Sequence, residues 1–389
     1  MILFGLASLL PWNIVITAHG YFQHKFEDTN STIIIHHFPS YFQLVGLGSN
    51  FGAALLSVFV VTPDNQRSLL VTSNLLVFLM FVLMTITTRL GTDTWACAFF
   101  VQSLVLFGAS LAMMGLYMSA MLALASMISS SAVQGFYLGQ GSAGLFAALL
   151  SIFTLLVKDA NPVHAAFFYF LTACIVLLIA LFGLHTLKTI LKKTKLRESL
   201  IERTDSADGD VSTYYVLART WRFHVTTTVS STVTGSCFPA ALSTVLSMHP
   251  DYTHVWYTTF FLPVTIFLLF AVGDVLGRVT SSFLPYPSPL HLLPVSLLRL
   301  FLVPLVFACN LHPRTIPVLF THDVWPGLLT LLLSWSNGHV MSLAASYCPL
   351  QVRGNRARSK AGTFMTLSYA TGLLLGSVVV VFLLELINL

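Results

Sequence analysis

Runs of about 20 apolar residues recur almost from one end of this 389-residue chain to the other. A run of that length, wound as a helix, matches the hydrocarbon thickness of a bilayer. Within lipid, only a helix or a closed barrel satisfies every backbone polar group. Barrel strands are about half this length and alternate in polarity, so the runs specify helices. Composition points the same way. Charged residues make up 8% of the chain and the mean hydropathy is +0.83. A soluble domain carries about a quarter charged residues, and this chain could not cover a water-facing surface. The expected fold class is therefore an all-α polytopic membrane protein.

Hydropathy places eleven spans, at 2–22, 41–62, 68–88, 96–120, 133–157, 163–187, 220–247, 255–283, 290–311, 324–350 and 361–387. The first run lacks a basic leader and a small-residue cleavage site, and carries Pro11-Trp12-Asn13 in its middle. It reads as a helix, not a signal peptide. The chain starts inside that helix, so a cytosolic leader is expected to be missing from this form. The longest polar stretch, 188–219, holds Lys188, Lys192, Lys193, Lys195 and Arg197 among other charges. It reads as a cytosolic flexible loop. It divides the chain into an N-terminal six-helix bundle, 1–187, and a C-terminal five-helix bundle, 220–389.

Basic residues set the orientation. With the N-terminus in the cytosol, thirteen lie at cytosolic loops and helix ends: Arg67, the six from Lys188 to Arg203, Arg219, Arg222, Arg353, Arg356, Arg358 and Lys360. Only Lys25, Arg89, Lys158 and Arg314 lie opposite. An odd number of spans then puts the C-terminus outside or in a lumen. Asn30-Ser31-Thr32 is the one glycosylation sequon and falls in an outer loop.

Ionisable groups inside the bilayer are costly and therefore informative. Asp274 and Arg278 lie in the eighth span, four residues apart and on one helix face. Two readings stay open. The pair is a structural ion pair, or it is a site where acceptor and donor together bind a neutral polyhydroxy group such as a ribose. Arg299 in the ninth span reads as structural or helix-end. Pro11, Pro239, Pro263 and Pro304 lie within spans. Each removes an internal hydrogen bond, as in the broken helices that line transporter cavities.

Other chemistries are excluded by what the sequence lacks. Gly139-Gln140-Gly141-Ser142-Ala143-Gly144 matches a dinucleotide-binding pattern, but it lies in an apolar helix with no strand before it. It reads as a small-residue packing face. No Walker A, HExxH or GxSxG motif occurs, and the five cysteines are scattered singly. No cofactor, metal, nucleic-acid contact or obligate protein partner is expected, and the chain does not read as an enzyme.

Several fragments together resemble the equilibrative nucleoside transporter family. Leu9-Leu10-Pro11-Trp12-Asn13, through Thr17-Ala18 to Tyr21-Phe22, resembles its first helix. Phe238-Pro239-Ala240 is similar to its seventh-helix motif, and Asp274-Val275-Leu276-Gly277-Arg278 to its eighth-helix Asp-Trp-Leu-Gly-Arg. Ser336-Asn337-Gly338 is similar to the tenth-helix Ser-Asn-Gly-Tyr. Gly139-Gln140-Gly141, and Ala361-Gly362 followed by Gly372 and Gly376, match in the fifth and eleventh helices.

The resemblance implies a major-facilitator-like bundle that moves nucleosides by facilitated diffusion and alternating access. It implies ribose contacts at Asp274 and Arg278, and cavity-lining roles for Trp12, Asn13, Ile16 and Phe267. It gives gating or packing roles to Pro11, Gly139, Gln140, Pro239, Asn337 and His339.

The departures concern the base. Met118 stands where the family has a base-contacting Gln, and Ala271 where an Asn is usual. A thioether is a weak acceptor and cannot donate. Nucleobases and organic cations are therefore alternative substrates. His339, in place of the family's Tyr, raises the expectation of proton sensitivity, against a plain packing role. A non-transporting membrane scaffold is the competing class. The plasma membrane is the expected location, with an endolysosomal or other intracellular membrane as the alternative.

Overall fold

The computed structural model describes residues 1–27, 32–92, 94–157, 161–198, 211–249 and 254–388. Side chains are described for all of these except 27–37, 39–40 and 188–198. The sequon at Asn30 and the middle of the polar linker, 199–210, lie outside the described residues.

The helices run α1 Ile2–Thr17, α2 His19–Glu27, α3 Thr32–Val60, α4 Gln66–Thr87, α5 Ala96–Ile128, α6 Ser130–Leu156 and α7 Pro162–Glu198. After the linker come α8 Thr213–Cys237, α9 Leu269–Phe283, α10 Leu292–Leu298, α11 Leu302–Phe307, α12 Val324–Tyr347 and α13 Asn355–Asn388. Among the described residues, seven helices are long and apolar enough to cross a membrane, or eight if α1 and α2, bent by 44° at their junction, form one span.

α8 and α12 are long but too polar to pass that test, and their burial explains why. α8 turns Thr220, Thr226, Thr227, Ser230, Ser231 and Thr234 inward. α12 does the same with Thr330, Ser334, Asn337 and Ser342. The outside of the bundle is apolar: Phe59, Phe153, Phe182, Phe301 and Phe382 are all more than 60% exposed. Polar groups inside and phenylalanine outside is the arrangement a lipid-embedded bundle requires.

The proline effects differ from the sequence expectation in detail. Pro11 lies inside α1 as expected. Pro239 does not kink a continuous helix, because α8 stops at Cys237 and Pro239 follows its end. Pro263 sits in a widened, π-helical stretch, Leu262–Leu268, that feeds α9. Pro304 lies in α11, just after a tight turn, Arg299–Phe301, that interrupts the ninth run. Its missing N–H leaves the carbonyl four residues back without a helical donor, next to Arg299.

The ends of the molecule pack differently. Gln66 Nε2 donates to Ser359 Oγ at 2.7 Å, tying α4 to α13. A Cβ on Gly362 of α13 would lie 2.8 Å from the Leu122 carbonyl of α5. At this end one apolar core joins Leu122 and Ala125 to Met341, Ala345 and Ala361. Toward the other end, Val233, Leu242, Phe261, Val306 and Leu333 form a second core drawn only from residues after 232.

Candidate functional site

The polar centre forms where α9 meets α12 and α6. α9 and α12 approach closely through glycine. A Cβ on Gly338 would sit 2.2 Å from the Asp274 carbonyl, and one on Gly277 would sit 2.1 Å from that of Trp335. Neither position has room for a side chain, so the two backbones come into direct contact.

That contact presents Asp274 and Arg278, each 7% exposed, on the same face. Arg278 Nε donates to Asp274 Oδ2 at 2.7 Å. Arg278 Nη1 donates to the backbone carbonyl of Tyr137 on α6 at 2.7 Å. The guanidinium also lies 5.4 Å from the centre of the Tyr137 ring, within cation–π range. Gly141 makes room for it: a Cβ there would be 2.8 Å from Arg278 Cδ. The second half of the dinucleotide-like motif thus seats an arginine. The first half packs helices, since a Cβ on Gly139 would lie 2.0 Å from the Ile2 carbonyl of α1.

The pair is not saturated. Arg278 engages two of its five N–H groups among the described residues. Asp274 accepts one bond on each oxygen, from Arg278 and from Asn337 Nδ2 at 3.1 Å. A carboxylate offers about four acceptor positions. Donors and acceptors are therefore both left over, side by side and largely shielded from water.

The other expected residues fall in two groups. Asn13, Ala271 and Gly144 meet: the Cβ position of Gly144 is 3.8 Å from Asn13 Oδ1 and 4.0 Å from Ala271 Cβ. Trp12 stacks on Phe107 of α5 with ring centres 5.8 Å apart. Ile16 is half-buried one turn further along α1, and Met118 is buried in α5. Phe267 packs edge-on against Phe238, 5.6 Å away. These side chains are apolar or aromatic apart from Asn13, whose Nδ2 bonds its own helix at Leu9. Gln140 lies apart, its Nε2 3.4 Å from Ser8 Oγ in the α1–α6 contact. His339 faces away as well. Its Nε2 is 2.6 Å from the Tyr286 carbonyl and its Nδ1 is 3.1 Å from Thr280 Oγ1, so Nε2 holds the chain that follows α9 and Nδ1 meets α9 itself.

Sequence reasoning missed two neighbours of the pair and gave a third a different role. Tyr137 acts through a backbone carbonyl, which has no residue signature. Tyr369 of α13 is half-buried and within electrostatic reach of both Asp274 and Arg278. Asn337, expected to serve gating or packing, bonds Asp274 directly. Among the described residues no group of three His, Cys, Asp or Glu side chains could hold a metal.

The fold has solved counterparts. The proton:xylose symporter bound to 6-bromo-6-deoxy-D-glucose superposes with a TM-score of 0.67 at 13% identity, covering 96% of this chain and 84% of that one. The fucose:proton symporter of E. coli gives 0.56 at 13%, covering 99% and 95%. At this identity the likeness concerns the fold alone, and it defines the class: an all-helical, major-facilitator-like membrane protein.

The sequence profile of the nucleoside transporter family matches residues 101–385. Equilibrative nucleoside transporter 3 of Rattus norvegicus is 27% identical over 410 residues, covering 96% of this chain and 85% of the relative. Equilibrative nucleoside transporter 2 of Homo sapiens is 26% identical, covering 96% and 93%. The chain belongs to the equilibrative nucleoside transporter family. Its relatives are transporters and not enzymes.

Proposed function

We propose that this chain carries nucleosides across a membrane by facilitated diffusion, with the ribose bound at Asp274 and Arg278. The observation that carries the reading is the unsaturated pair. A vicinal diol both donates and accepts, and Asp274 and Arg278 have acceptors and donors left over in adjacent positions. The names of the relatives supply the substrate class. The base lies against Trp12, Ile16, Met118, Phe267 and Ala271, a wall with little hydrogen-bonding capacity.

Alternating access proceeds by rocking of two bundles, 1–187 and 220–389, about this centre. The asymmetric packing supports it: one end of the interface shares an apolar core across the bundles and the other does not. We further propose eleven spans, with α1–α2 as one and α10–α11 as another, the N-terminus in the cytosol and the C-terminus outside. Loss of a glycan on Asn30→Gln, read as a gel shift after glycosidase treatment, tests that orientation. The plasma membrane is the proposed site of action, checked by surface biotinylation against endolysosomal markers.

The deciding experiment is uptake of labelled adenosine and uridine in cells or proteoliposomes, competed with nucleosides and with free bases. Competition by nucleosides alone supports ribose recognition. Equal competition by bases overturns it and favours the second reading, a carrier of nucleobases or organic cations, which Met118 and Ala271 permit. Met118→Gln restores a donor and an acceptor on the base side. It is expected to change the ratio of purine to pyrimidine uptake about three- to tenfold, the worth of one buried hydrogen bond.

A further inference from the structure

Arg299 is the second buried arginine, 3% exposed, and among the described residues no carboxylate lies within salt-bridge distance of it. An uncompensated charge in a bilayer interior is costly, so its surroundings call for an explanation. Four of its N–H groups are engaged. Nε donates to Ser336 Oγ at 3.0 Å, Nη1 to the Ser230 carbonyl at 3.1 Å, and Nη2 to the Leu333 carbonyl at 3.1 Å and to Thr234 Oγ1 at 2.9 Å.

The bond to Thr234 begins a directed chain. Thr234 accepts from Arg299 and donates to Asn337 Oδ1 at 3.0 Å. Asn337 Nδ2 then donates to Asp274 Oδ1 at 3.1 Å. Each donor in the series points toward the carboxylate. With the hydroxyl oxygen of Thr234 taken by Arg299, its hydrogen is free for Asn337, which fixes the amide with its NH2 toward Asp274. A cation stands at one end, an anion at the other, and aligned bonds lie between them. In such a chain each bond polarises the next. The counter-ion of Arg299 is thus Asp274, reached through two neutral side chains.

We infer that Arg299, acting through Thr234 and Asn337, is a positioning residue that holds Asp274 in the orientation that binds a ribose diol. The inference rests on the nucleoside reading above. It assigns a distinct job to each oxygen of Asp274. Oδ2 is held by Arg278, which also faces the ligand, and Oδ1 is held by a relay that does not. Without the relay, Asn337 is free to turn its amide and Oδ1 loses its fixed donor. The carboxylate then rotates, and discrimination by the diol weakens before transport fails.

The test compares uridine with 2′,3′-dideoxyuridine, which lacks both ribose hydroxyls, as substrates of the full chain at matched surface expression. Thr234→Val cuts the relay and leaves Arg299 its three other bonds, so it is the main variant. Arg299→Met and Arg299→Lys accompany it, and Ser336→Ala removes an Arg299 bond outside the relay. The wild type is expected to prefer uridine. Thr234→Val and Arg299→Met are expected to reduce that preference about tenfold, through KM for uridine, with uptake of the dideoxy compound little changed. Ser336→Ala is expected to keep the preference. A preference unchanged in Thr234→Val, or equal losses for both substrates in every variant, makes Arg299 a packing residue and overturns the inference alone. A wild type that takes up neither compound above background overturns the nucleoside reading and the inference together.

Discussion

Two buried arginines stand in adjoining polar centres, and their surroundings differ. Arg278 at the α6–α9 contact has a carboxylate at 2.7 Å, yet it engages only two of its N–H groups. Arg299 at the α10–α11 break has no carboxylate beside it among the described residues, yet it engages four. A group that the protein nearly saturates has little left to offer a ligand. A group that the protein leaves half-saturated in a shielded place has been kept available. Charge pairing by itself would have ranked the two the other way, with Arg278 the settled ion pair and Arg299 the odd cation.

The contrast makes graded predictions. The largest effect is expected at Asp274, because its removal strands Arg278 as an unpaired buried charge, a loss of about 3 kcal/mol or more. Uptake by Asp274→Ala should fall at least about a hundredfold, measured against surface protein. Next comes a crossed comparison of the arginines. Arg299→Met leaves several buried acceptors without donors and should destabilise the detergent-solubilised protein by about 2–4 kcal/mol. Arg278→Lys keeps a cation beside Asp274 and should abolish uptake with a smaller loss of melting temperature. Equal melting losses for the two would break the distinction between a nearly saturated guanidinium and one left with most of its donors free.

A gentler probe is Gly141→Ala. The new methyl meets Arg278 Cδ at 2.8 Å and forces the side chain to shift while the helices stay in place. Uptake should drop several-fold, about 1 kcal/mol, with normal expression. The smallest effect is expected at His339. Its ring bonds Thr280 and Tyr286 and neither Asp274 nor Arg278, so the pH profile of uptake from about pH 5.5 to 8 should be the same in His339→Gln as in the wild type. A displaced profile would return His339 to the transport path.

The sequence carried the membrane class and the Asp–Arg pair, because both depend on features that residue identity alone displays. Apolar runs disclose helices, and a four-residue spacing discloses a shared face. The spans read at 220–247 and 324–350 cover α8 and α12, although both helices turn polar residues to the inside of the bundle. The reading did less well on where helices end. Pro239 looked like a kink and instead follows a helix end, since local composition does not tell whether the helix resumes beyond it. Contacts separated widely along the chain were the least legible. The relay joins positions 234, 299, 337 and 274, and the Tyr137 carbonyl could have belonged to any residue. The fragments that resemble the family named Asp274, Arg278 and Asn337, but not Tyr137, Tyr369 or the bond from Asn337 to Asp274.

The bond from Arg278 to the Tyr137 carbonyl has a kinetic side. It joins α9 to α6, and so fastens together the two bodies proposed to rock. In the proposed alternating-access cycle, an empty carrier would have to break it on every return trip with no replacement for it, while a carrier with a ribose in place would trade it for a hydroxyl oxygen of the cargo. The loaded form is then expected to turn over faster than the empty one, so that preloading vesicles with unlabelled solute on the far side should speed the exit of labelled solute from the near side.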